Sequence, residues 1–167
     1  MGALIGGLWY RNRPNHLAFQ PGTPQGLAAL ESVETFEDKG RKHLSPGQSV
    51  KYDQAFPTSG PHDPVPVAPG VYAESQRPEQ LVHSLEHGKI VVYYDQPGNQ
   101  VMSTFEGWVK QFPGAWDGLV VVPSPGLGET IVLTAWKHKL ELSQFNAEAA
   151  STFIDTYRGR GPENPVR

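Results

Sequence analysis

Cysteine is absent from this chain of 167 residues. That excludes disulfides, thiolate metal sites and cysteine nucleophiles, so any transition-metal site must draw on histidine, carboxylate or methionine. An excess of positive charge is missing as well. The 14 basic and 17 acidic side chains leave a formal net charge of −3, which gives no electrostatic footprint for nucleic acid. A long hydrophobic run is also lacking at the N-terminus. The apolar stretch GALIGGLWY, residues 2–10, is too short to cross a bilayer, which takes about 20 residues. Neither a basic segment before it nor a small-residue cleavage site after it marks a secretory signal. Two readings stay open for residues 1–10: a locally packed tail, or the outer end of a membrane anchor.

What is abundant is glycine and proline, 18 and 16 residues, which break regular elements and make the chain rich in loops. The length suits one domain with a real core and not two. Residues 11–27 read as a linker, with Pro14, Pro21 and Pro24 and little periodicity. Residues 28–161 read as a single globular domain, and 162–167 as a frayed tail. Within the domain, residues 28–42 suit a short helix or strand. Residues 45–72 form a long loop holding Pro46, Pro57, Pro61, Pro64, Pro66 and Pro69. Its Tyr52, Phe56, Val65, Val67, Val71 and Tyr72 argue that it packs.

Order increases beyond the loop. Pro78 suits the first turn of a helix that would stop at Gly88 with Leu81, Val82 and Leu85 inward. KIVVYY, residues 89–94, reads as a buried strand. Asn99 would cap a second helix with Val101, Phe105, Trp108, Val109 and Phe112 on its core stripe, ended by Pro113. Residues 119–122 and 130–136 read as strands, paired as a hairpin through PSPGLGE. A last helix, capped by Ser143 or Asn146, would bury Ala149, Phe153, Ile154 and Tyr157 and end at Gly159. The expected class is therefore α+β, or mixed α/β: a small sheet with helices packed on it, in a ferredoxin-like or thioredoxin-like order.

The chemistry concentrates in LVHSLEHGK, residues 81–89. On a helix, His83 and His87 point in directions about 40° apart, so both reach one ion from a rigid support. Glu86 completes an H-x-x-E-H pattern, the inverted zinc-protease signature. His62, in FPTSGPHDP, is braced by prolines and forms the third candidate ligand. His43 is a fourth, and Met102 would be a soft axial ligand if it is not simply core packing. Imidazoles without thiolates suit copper or zinc, copper gaining from the Irving–Williams order and a methionine. The competing readings are a zinc hydrolase with Glu86 as general base, and a metal-free interaction domain whose histidines hydrogen-bond the loop to the helix. The hydrolase needs a downstream carboxylate ligand, for which Glu129, Glu141, Glu148 and Glu163 are available without a telling context.

The segments YDQAFPTSGPH, GVY, VHSLEHG, PSPG…TAWK and TYRGRG, spread over roughly residues 33–161, resemble the bacterial family catalogued as domain of unknown function 3105. Phe56 departs from the proline common there, and Lys137 stands where glycine is usual. The resemblance implies an envelope protein held to the membrane by an N-terminal helix, with its domain outside the cytoplasm and an envelope protein as candidate partner. It favours the anchor reading of residues 1–10. It also carries the motif histidines onto His62, His83 and His87, often with His43, and implies no particular activity.

Overall fold

A computed structural model describes residues 16–167. The anchor expectation for residues 1–10 lies outside them. Among the described residues, no helix is long and apolar enough to cross a membrane.

The elements in chain order are α1 (Pro24–Ala29), a 3-10 turn (Leu30–Ser32), β1 (Glu34–Thr35), β2 (Gly70–Val71), α2 (Pro78–Glu86), β3 (Ile90–Tyr94), α3 (Asn99–Gln111), β4 (Leu119–Pro123), β5 (Ile131–Ala135), β6 (His138–Leu142) and α4 (Ala147–Tyr157). The six strands form one mixed sheet in the order β1-β6-β5-β3-β4-β2. β3 is its centre, parallel to β4 and antiparallel to β5. A parallel strand–helix–strand unit followed by an antiparallel hairpin and a closing helix is the thioredoxin-like alternative. Without cysteine, none of the thiol chemistry associated with that order is available.

β3 is apolar on successive residues because both faces of the sheet are covered. Ile90 and Val92 join Phe105, Trp108, Phe153 and Ile154 in one core, beneath α3 and α4. Val91 and Tyr93 join Leu81, Val82, Leu85 and Val67 in a second core, beneath α2 and the proline-rich loop. Tyr52, Phe56 and Tyr72 of that loop pack on the second core as expected, whereas Val65 is 56% exposed.

α2 and α4 end as the sequence suggests. Pro78 occupies the first turn of α2, His87 caps its C-terminus, and Gly88 turns the chain at φ +96°. Asn146 caps α4 by accepting from the Ala149 N–H at 2.9 Å.

The expected hairpin is corrected. β4 and β5 are not neighbours, since β3 lies between them, and the real hairpin joins β5 to β6. Charged, half-buried HKLEL hides β6 from a search for apolar runs, for only Leu140 is buried. The termini differ too. Residues read as linker are fastened to α3 and α4, Leu17 N–H donating to Thr104 Oγ1 and Gln20 N–H to Ser151 Oγ. The terminal residues fold back, with Val166 N–H on the Gly159 carbonyl and Arg167 paired to Asp155 at 2.9 Å.

Lys137, second residue of the tight β5–β6 turn, holds φ +68°, the one non-glycine with positive φ among the described residues. That conformation disfavours a β-carbon by about 1–2 kcal/mol, while glycine loses roughly 0.5–1 kcal/mol of chain entropy. Its backbone bonds, to the Thr58 carbonyl and from Phe36 N–H, need no side chain. Lys137→Gly is therefore expected to stabilise the protein by about 0.5–1 kcal/mol. Urea unfolding reads this, and an unchanged or lower midpoint would contradict it.

Candidate metal centre

Three distant stretches of chain meet at the C-terminal end of α2. The first is the loop strand pair 43–62: Leu44 N–H donates to the His62 carbonyl and His62 N–H to the Lys42 carbonyl, bridging the two backbones in parallel. The second is the last turn of α2, carrying His83, Glu86 and His87. The third is the chain after α4. Gly159 N–H donates to the Gly88 carbonyl at 2.8 Å and Glu163 N–H to the Glu86 carbonyl at 3.3 Å. Gly161 sits so close that an added Cβ would collide with Glu86 carbonyl and Gly88 nitrogen.

Asp63 anchors the loop. It is buried, pairs with Arg77 at 2.9 Å, and accepts from Val65 and Gly47 N–H groups. The Val65 bond above all, then those from Gly47 and Arg77, hold its carboxyl below the usual carboxylate range. Asp63 is thus a structural residue rather than an oxygen ligand.

His62 is fully buried and His83 nearly so, at 4% exposure. His62 Nδ1 lies 2.8 Å from the Gly60 carbonyl and His83 Nδ1 2.8 Å from the Asp63 carbonyl. A carbonyl only accepts, so each Nδ1 carries the proton and, in the neutral ring, each Nε2 keeps a free lone pair. This is the outer bonding that orients metal-ligating imidazoles. His87 is oriented differently, stacked on Trp116 with ring centroids 4.1 Å apart.

The free nitrogens face carboxylates. Glu86 Oε2 lies 2.9 Å from His62 Nε2, and 3.8 Å from both His43 Nε2 and His83 Nε2. Glu163 Oε2 lies 2.9 Å from His87 Nε2 and 4.0 Å from His83 Nε2. His62 Nε2 and Glu86 Oε2 are close, yet no hydrogen bond joins them. Both are buried atoms without a hydrogen-bond partner. Ligands about 2.1 Å from a tetrahedral ion stand roughly 3.4 Å apart, a spacing that falls inside the 2.9–3.8 Å range around Glu86. The residues present fit an ion.

The structure brings together His43, His62, His83 and Glu86 in one potential ligand set, and His83, His87 and Glu163 in another. Met102 is not with them. It lies on α3 against the first core, across the sheet, which is packing and not ligation.

A family model described as Protein of unknown function (DUF3105) matches residues 43–167. The chain belongs to this family. The match begins at His43 and contains every histidine and both carboxylates of the centre. No curated protein and no solved structure matches the chain.

Two participants were not singled out by sequence reading. Glu163 stood among four equivalent glutamates, and only the glycine pair Gly159 and Gly161, which lets the terminal chain lie against α2, hints at it. Arg41, with Nε 3.8 Å from Glu86 Oε1, left no signal.

Burial pushes the His83 imidazole down to about 4, assisted by the neighbouring His87, His62 and His43 and opposed by its bond to the Asp63 carbonyl. Glu86 and Glu163 are the carboxylates facing it. The unfolded chain takes up this proton near 6.5 and the folded one near 4. Between those values the unfolded state binds more protons, so stability is fully present above 6.5 and is lost as pH falls. The melting temperature of metal-free protein is expected to fall between pH 6.5 and 4.5, and His83→Gln to flatten that fall. A flat wild-type profile would contradict the assignment.

Proposed function

We propose that the protein binds a transition-metal ion, zinc or copper(II), through His43, His62, His83 and Glu86, with His87 and Glu163 beside them. The observation that carries this is the orphaned pair His62 Nε2 and Glu86 Oε2, two buried atoms 2.9 Å apart with no hydrogen-bond partner. In the neutral ring, with the proton on Nδ1, His62 turns a lone pair toward a carboxylate oxygen, an arrangement that repels unless a cation lies between. Glu86 belongs to the ligand set on this reading. With Met102 elsewhere, copper keeps only its Irving–Williams advantage over zinc. The apolar residues 2–10 and the family resemblance support a place in the cell envelope, held at the membrane and able to meet an envelope partner, where the protein would handle the metal.

A second reading, zinc-dependent hydrolysis, is favoured by one observation. Glu163 supplies at His83 and His87 the downstream carboxylate that the H-x-x-E-H pattern calls for. Glu86 would then serve as general base.

The test is titration of zinc and copper(II) into chelator-stripped protein carrying no His-tag. Binding tighter than micromolar, reduced in affinity or in stoichiometry in His83→Ala and His62→Ala variants that keep their circular dichroism, is expected. Absence of binding at that level would sink both metal readings and leave the histidines as a latch between loop and helix. Glu86→Gln separates the two metal readings: a hydrolase would keep metal and lose turnover, whereas a binder would lose affinity.

A further inference from the structure

The six donors do not share one centre. The two ligand sets overlap only at His83, and His87 and Glu163 do not join His43 and His62. His83 offers a single lone pair, since its Nδ1 is committed to the Asp63 carbonyl. It therefore serves one ion at a time. Assigned to the His43, His62 and Glu86 set, it leaves His87 and Glu163 as a bare pair. Assigned to His87 and Glu163, it divides the cluster evenly, two imidazoles and one carboxylate on each side.

We infer that the centre is built for two ions, an inner one on His43, His62 and Glu86 and an outer one on His83, His87 and Glu163. This rests on the metal-binding reading and extends it, moving His83 from the first ligand set to the second. Glu86 stands at the boundary, its Oε2 3.8 Å from His83 Nε2 and 2.9 Å from His62 Nε2, where a carboxylate can bridge. Paired metal centres hold their ions roughly 3.5–4 Å apart, a separation one carboxylate spans. The backbone points the same way. Glu163 is no chance surface glutamate, because its N–H is fixed to the carbonyl of Glu86, the carboxylate of the inner triad. Two dications face two carboxylates, so the pair keeps positive charge for a hydroxide or an anionic third ligand. Arg41, its side chain 49% exposed, is free to swing away from Glu86.

Zinc counted by elemental analysis after gel filtration of the full chain tests this. Wild type is expected to retain two equivalents, and Glu163→Gln, His87→Ala and His62→Ala one each. Glu163 is 42% exposed at its side chain, so Glu163→Gln should fold even where His62→Ala does not. Loaded with copper(II), wild type should give a spin-coupled resonance signal and Glu163→Gln an isolated one. One equivalent in wild type, or a count that Glu163→Gln and His87→Ala leave unchanged, overturns the inference while leaving metal binding intact. No zinc at all removes the reading it rests on.

Discussion

The hydrogen bond from His83 Nδ1 to the Asp63 carbonyl is the joint on which this molecule turns. It ties the proline-rich loop to α2, fixes the tautomer of a buried imidazole, and turns that ring's lone pair inward. The loop earns its rigidity elsewhere, from Arg77 on Asp63 and from Asp63 N–H on the Glu79 carbonyl. Ser84 adds a second seam by donating to the Val67 carbonyl and accepting from Val67 N–H. Long loops usually run over a surface because their backbone groups need water. This one lies on a sheet face because α2 supplies partners instead.

The site's location follows from the two-faced sheet. β3 buries both sides, so a helix delivered immediately before it must lie flat on one of them. α2 does so through Leu81, Val82 and Leu85. Its polar flank then points along the sheet surface to where the loop and the returning chain close over it. His83 and Glu86 are buried because of that closure, not because of their own preference. Lys89, just beyond the turn, shows the same constraint. It is buried, bonded to the Val67 carbonyl at 2.7 Å, and desolvation draws its amine down to about 8.

The chemistry was legible where it was local. The H-x-x-E-H spacing on a helix bounded by Pro78 and Gly88 is a matter of one element's geometry, and the structure keeps it. His62 could be read from the stiffness of its setting, because prolines on both sides limit the backbone. His43 joins through a parallel bridge to His62 that only a folded loop creates. Glu163 lies far along the chain and meets His87 by way of a glycine turn, so no local pattern reveals it. Sheet order was illegible for a related reason. β6 carries charge on a half-buried edge, and the seven residues between β4 and β5 resemble a hairpin loop until β3 claims the place between them.

Metal binding would change what this closure costs. Without an ion, burying Glu86 beside His62 leaves two polar atoms unsatisfied, a penalty of about 1–3 kcal/mol each that the cores must offset. An ion converts that penalty into a bond network spanning loop, helix and terminal chain, three segments that no covalent link joins in the absence of cysteine. Binding energy then becomes folding energy, because ligands drawn from distant segments do not assemble in the unfolded chain. The segments most dependent on the ion would be those outside the sheet: the loop carrying His43 and the terminal chain carrying Glu163. The core under α3 and α4 contains none of these ligands and would not depend on the ion. On the proposed reading, a centre arranged in this way would let the protein remain folded when empty while the loop and the terminal chain respond to the metal.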